Sequence, residues 1–159
     1  MDRPDVIFPY GITLSQEGKV SIFPAAEILL QSHTGESISL IFIIDSGATI
    51  SALPKSDADF LGIEYKKGSL THVGGLSGKP MRGWVQDISV KLGQISVRMP
   101  IVFLDSPSAP RILGRAGIFD RFTIVFEESK RRSGLLFGHS SAAKQISLLL
   151  DHEQQKSTA

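Results

Sequence analysis

The chain has 159 residues, 42% hydrophobic and 21% charged, a composition that suits one globular domain with a core of its own. Its formal net charge of +1 supplies no field to attract nucleic acid or an anionic membrane surface. The absence of cysteine excludes disulfides, thiolate chemistry and cysteine-ligated zinc or iron–sulfur sites.

Along the chain, Met1-Asp2-Arg3-Pro4-Asp5 lacks the basic segment and apolar core of a signal peptide. No apolar stretch approaches the roughly 20 residues that span a bilayer, so a cytoplasmic protein without membrane contact is expected. Apolar segments between turn residues predict strands near Ile12–Leu14, Val20–Leu30, Ser37–Ile44, Leu70–Val73, Val85–Leu92, Ile95–Leu104, Phe122–Phe126 and Gly134–Phe137. Lys91-Leu92-Gly93-Gln94-Ile95 reads as a hairpin turn, as does the segment from Glu128 to Gly134. The 15 glycines and 8 prolines fit closely spaced turns. Helix signals are few. Pro54 to Leu61 is one, with proline in the first turn and Gly62 just past the end; Arg115 to Phe119 is a second. Ser141 to Gln155 has helical spacing of Ala142, Ala143, Ile146, Leu149 and Leu150, yet an appended helix, a strand used in assembly and a frayed tail all fit it. The expectation is an all-β, single-domain barrel over residues 1–140 with one or two short helices, followed by a tail over 141–159.

The apolar run Leu40-Ile41-Phe42-Ile43-Ile44 reads as a buried strand and ends on Asp45-Ser46-Gly47. Burying an unpaired carboxylate is costly, and Gly47 permits a tight turn beside it. An acid held on a rigid strand end near apolar walls is placed for chemistry. Two further features follow in order. Val73-Gly74-Gly75-Leu76-Ser77-Gly78 is a glycine-dense turn between predicted strands, and Ile112-Leu113-Gly114-Arg115 ends another apolar run. Each alone is a modest signal; a capping aspartate and a flexible loop are the plain alternatives for the first two. The ordered trio is far more selective.

With these three features the chain resembles the retropepsin family, the single-domain aspartic proteases of retroviruses and their relatives, over about residues 18 to 127. The resemblance implies that Asp45 is catalytic within an active-site loop of Ser46, Gly47, Ala48 and Thr49. It implies a flap hairpin over about Leu70–Val85 that binds substrate with its tip at Gly74, Gly75, Leu76, Ser77 and Gly78. It further implies that Ile112, Leu113 and Gly114 run beneath the active-site loop, and that Arg115 opens a short helix and helps hold a dimer. Thr49 departs from the viral pattern, in which an aspartate there pairs with that arginine. The ion pair is therefore rebuilt with another acid or absent.

Aspartic proteolysis needs two carboxyls, and this chain has one Asp-Ser/Thr-Gly; in Asp105-Ser106-Pro107 proline replaces the glycine. A homodimer is the expected solution, with one Asp45 from each chain and an extended polypeptide as substrate. Apolar subsites are expected near Ile50, Leu76 and Ile101. No cofactor is implied: His33, His72, His139 and His152 show no metal spacing, and Ser77 is not in a nucleophile elbow. Trp84 is expected to pack at the flap base. A protease-like binding or dimerisation module without turnover is the competing expectation. An oligonucleotide-binding barrel is disfavoured by the near-neutral charge and 8% aromatic content.

Overall fold

In the computed structural model, which describes residues 5–74 and 79–157, the apolar runs become twelve strands. In chain order these are β1 (Val6–Pro9), β2 (Gly11–Leu14), β3 (Val20–Phe23), β4 (Ala25–Gln31), β5 (Ser37–Ile44), β6 (Ser51–Pro54), β7 (Ser69–Val73), β8 (Met81–Leu92), β9 (Ile95–Leu104), β10 (Ile112–Leu113), β11 (Phe122–Glu127) and β12 (Arg132–Phe137). Helix α1 (Lys55–Leu61) follows β6, and helix α2 (Ser141–Ser157) follows β12.

The main sheet runs β4-β5-β10-β6-β9-β8-β7. It rolls up because β4 also pairs with β8, Leu29 opposite Lys91 and Leu30 opposite Val90. That pairing closes a barrel and leaves β7 outside the ring. The alternation of β4 explains the inside: Ala26, Ile28 and Leu30 are buried while Glu27 is exposed. Phe42, Leu53, Met99, Ile101, Phe103 and Leu113 complete the core. A smaller sheet, β1-β12-β11, contributes Phe8, Phe122 and Leu135 to the same core. The fold is mostly β and forms one domain, as expected.

Several elements differ from the sequence reading. Val20–Leu30 is two strands. Pro24 has no N–H to give a ladder and its carbonyl accepts from Ile44, so β3 pairs with β2 while β4 pairs with β5. The β2–β3 ribbon carries Ile12 opposite Ile22 and Leu14 opposite Val20, all four exposed. The short strands β1, β6 and β10 owe their existence to partners elsewhere in the chain. Arg115–Phe119 is a run of turns and not a helix; Gly117 has φ +77°, which leaves the right-handed helical region. The segment after Ser140 is helical. The Ser140 hydroxyl accepts from the Ala143 N–H (3.2 Å) at its start. Among the helix's residues only Ala143 is buried, and Leu148, Leu149 and Leu150 face solvent.

Truncating Phe103, fully buried in this core, should cost about 3–5 kcal/mol on Phe103→Ala. Leu149→Ala, on the exposed helix, should stay within about 0.5 kcal/mol. Urea unfolding of both variants checks the contrast; equal losses would mean that α2 is packed against the body.

Candidate active site

Asp45 leaves the end of β5, and three backbone bonds hold that strand end from two sides. Ile43 N–H donates to the Arg111 carbonyl (2.9 Å), Ile44 N–H to the Pro24 carbonyl (3.0 Å) and Asp45 N–H to the Leu113 carbonyl (3.0 Å). Strand β10 lies parallel to β5, with Ile112 opposite Ile43 and Leu113 opposite Ile44. It also pairs antiparallel with β6 through Ile112 and Ala52. The two-residue strand is thus wedged between the strands that enter and leave the acid's loop.

The loop itself is fastened at each end. Gly47 N–H donates to Asp45 Oδ1 (2.8 Å), an Asx-type turn that fixes the carboxylate. Ala48 N–H donates to the Asp45 carbonyl (3.2 Å). From the other side, Arg115 N–H donates to the Ala48 carbonyl (3.0 Å) and Ala116 N–H to the Thr49 carbonyl (2.9 Å). Beneath the loop, Gly114 N–H donates to the buried Ser51 hydroxyl (3.0 Å). A Cβ on Gly114 would stand 2.4 Å from the Ile50 carbonyl carbon, so only glycine allows this approach. Asp45 is partly exposed, while Ser46, Gly47 and Thr49 face solvent.

Asp45 opens into a cleft of about 580 Å³. Gly47, Ala48 and Ile50 line it from the loop; Ala52, Val102, Leu104 and Ile112 from the floor; Pro110 from one side; and Val73, Gly74, Lys79 and Met81 from the β7–β8 hairpin. The hairpin register runs from Ser69 opposite Val85 to Val73 opposite Met81. The expected flap-tip residues Gly75, Leu76, Ser77 and Gly78 lie outside the described residues. The floor is a small apolar cluster separate from the core, made by Ala52, Val102 and Leu104 with Ile50, Val73, Val85, Ala109 and Ile112 around them. Ile50 is where sequence neighbourhood placed it. Ile101 is not a cleft residue: it is fully buried in the main core, and its neighbour Val102 faces the cleft. An unbroken apolar run such as Pro100–Leu104 hides which parity faces which side, so Val102 and Leu104 carried no distinguishing signal. The hairpin that brings Lys79 and Met81 to the cleft pairs residues close in sequence, Val73 with Met81, but its docking over the Asp45 loop is set by the tertiary fold.

Ion pairs brace the surround. Asp57 on α1, nearly buried, receives both Arg111 Nε (2.6 Å) and Nη2 (2.9 Å). The Arg111 carbonyl holds β5, so this pair ties α1 to the acid-bearing strand. Asp105 accepts from Arg82 Nη2 (2.5 Å) and Lys55 Nζ (3.0 Å), joining the tip-side end of the β7–β8 hairpin, where Arg82 pairs with His72, to the β6–α1 junction. Those hydrogen bonds, Arg82's first, hold the Asp105 carboxyl down to about 2. Arg82 also lies over Trp84 (5.3 Å), which packs edge-on against Tyr65 (5.5 Å) at the hairpin base. The Arg115 side chain is exposed and forms no ion pair among the described residues, so none of them stands in for the acid that Thr49 replaces.

Gly114→Ala should disrupt the Asp45 loop, costing about 1–3 kcal/mol or more as Ile50 is displaced, measurable by urea unfolding. Asp105→Asn tests the brace by pH. The folded carboxyl sits at about 2, below its ordinary 3.8, so its stabilisation is present above 3.8 and lost as pH falls toward 2. The wild type should exceed Asp105→Asn in stability at neutral pH, and the gap should close over that acid range. A gap that persists at pH 2 would assign the effect to packing instead.

Set beside known proteins, residues 35–116, just over half of the chain, match the family model described as "gag-polyprotein putative aspartyl protease". The matched segment runs from the β4–β5 turn through Asp45 and the β7–β8 hairpin to the residue after Arg115. No curated protein matches the chain. Among solved structures, a retropepsin-like aspartic protease from Rickettsia conorii superposes with a TM-score of 0.57 at 19% identity, covering 84% of this chain and 100% of that one. A looser match, EIAV protease complexed with the inhibitor HBY-793, has a TM-score of 0.42 at 18% identity and covers 65% of this chain and 88% of that one; a score this low does not bear on the fold. With its acid on the end of β5, its wedge strand and its hairpin all inside the matched segment, the chain belongs to the retropepsin-like aspartyl protease family.

Proposed function

We propose that this protein is an aspartic endopeptidase that works as a homodimer, with Asp45 of each chain as the catalytic acid. The observation that carries the reading is Asp45 itself. A single carboxylate is locked on a strand end by an Asx turn, at the mouth of an apolar cleft bounded by a hairpin. One such carboxyl cannot act alone as both acid and base. Because the loop residues Ser46, Gly47 and Thr49 face solvent, two copies can meet there about a twofold axis.

Two carboxyls about 3 Å apart share one proton, because both cannot ionise cheaply at that spacing. The ionised Asp45 takes a proton from a water held between the pair, and the resulting hydroxide attacks the scissile carbonyl. The protonated Asp45 donates to the carbonyl oxygen as it gains charge. When the tetrahedral intermediate collapses, a proton passes to the leaving nitrogen and the peptide bond breaks. Gly47 keeps its amide on the Asp45 carboxylate and leaves the space beside it open. Ser46 supplies a hydroxyl at the chain–chain contact, and the exposed Arg115 is available to pair there with the neighbouring copy. The hairpin's glycine-rich end, including Gly74, Gly75, Leu76, Ser77 and Gly78, serves as the flap that closes on an extended substrate. Ile112, Leu113 and Gly114 act as support and touch no reacting atom. On this reading residues 1–140 are the protease unit and 141–159 an appended tail.

Incubating the purified protein with a diverse peptide pool between about pH 4 and 7 should yield new termini by mass spectrometry, and Asp45→Asn should yield none. Rate per chain should fall on dilution below the dimer dissociation constant. Constant specific activity at every dilution would refute the shared site. No cleavage from a folded dimer would favour a binding module that retains the fold without turnover.

A further inference from the structure

The cleft carries a charge that the chemistry above leaves unused. Among the described residues its lining is apolar apart from the loop that holds Asp45 and one cation, Lys79. Lys79 stands two residues before Met81, which pairs with Val73, so the hairpin register sets where its backbone enters the cleft. The side chain is exposed. Four other cations are neutralised, Lys55 and Arg82 by Asp105, Lys67 by Glu64 and Arg111 by Asp57, whereas Arg115 is outside the cleft lining. Lys79 has no acidic partner among the described residues.

The floor beneath is equally unfinished. Ala52, Val102 and Leu104 are buried, but Ile50, Val73 and Ile112 around them are only partly covered. An apolar side chain laid there removes more of this surface from water. A volume of about 580 Å³ admits several residues of a peptide.

We propose that the cleft selects extended polypeptide carrying an aliphatic side chain over the Ile50–Val102–Ile112 floor together with an aspartate or glutamate within reach of Lys79. The proposal rests on the reading of the cleft as a polypeptide site and goes further by naming the sequence it prefers. Each half of a twofold dimer brings one Lys79, so the acidic preference falls on both sides of the scissile bond. Lys79 acts here as a specificity determinant and takes no part in the proton transfers. An exposed ion pair of this kind changes kcat/KM by roughly two- to fivefold. Replacing the aliphatic group by alanine costs on the order of tenfold.

The test uses one peptide library and two readouts, cleavage by the wild type and binding to Asp45→Asn, each repeated with Lys79→Glu and Lys79→Arg added. Enrichment of Asp and Glu at one fixed distance on each side of the cut, inverted to Lys and Arg by Lys79→Glu and kept by Lys79→Arg, is the expected result. Cleavage without that enrichment, or with enrichment unmoved by Lys79→Glu, overturns the proposal and leaves the protease reading standing. Acid-selective binding that Lys79→Glu inverts, with no cleavage, supports the proposal and removes the enzymatic reading. Neither cleavage nor binding overturns both.

Discussion

The geometry of the candidate site depends on a two-residue strand. Ile112 and Leu113 sit between β5 and β6, parallel to one and antiparallel to the other. Through them the chain that delivers Asp45 and the chain that carries the loop away are fixed to each other. Gly114 then passes under the loop so closely that any side chain would strike the Ile50 backbone. Little of this is local. The bonds that hold Asp45 come from Leu113, and those that hold Ala48 and Thr49 come from Arg115 and Ala116. The position of this carboxylate is set by backbone bonds made on folding, and on the proposed function it would need little reorganisation at the moment of reaction.

Side-chain parity along the same strands divides the interior in two. On β10, Leu113 points to the main core and Ile112 to the cleft floor; on β9, Ile101 and Phe103 face the core while Val102 and Leu104 face the cleft. Leu53 and Ala52 on β6 divide the same way. The sheet is therefore apolar on both faces where it passes the site, one face filled by the core and the other lining the cleft. A strand in an ordinary one-sided sheet alternates with polar residues. The unbroken apolar run of Ile101-Val102-Phe103-Leu104 departs from that pattern because one face packs in the core and the other in the cleft-side cluster.

The ion pairs sit around this arrangement as braces. Asp57 with Arg111, and Asp105 with Lys55 and Arg82, each join elements far apart in sequence near the site. The exposed loop holding Asp45, by contrast, forms no ion pair among the described residues, and Arg115 beside it is exposed to solvent. In the proposed dimer that region is where the partner completes the chemistry.

The sequence by itself carried the mostly-β class, most strand positions, the acid at Asp45, the hairpin after Leu70 and the support strand at Ile112, because each is a local pattern: an apolar run, a turn residue, a short motif. The order of the trio along the chain was enough to suggest the family. It could not reveal the wedge between β5 and β6, the break at Pro24, the turns at Gly117 or the side of the sheet on which Ile101 lies. Strand pairing joins residues distant in sequence, and a one-residue change of parity exchanges core for cleft. The braces were equally hidden, since a salt bridge such as Asp57–Arg111 spans 54 residues and leaves no spacing to read. Tertiary structure decided these features because closing the barrel determines which backbones meet, and only that meeting sets which side chains share the cleft with Asp45.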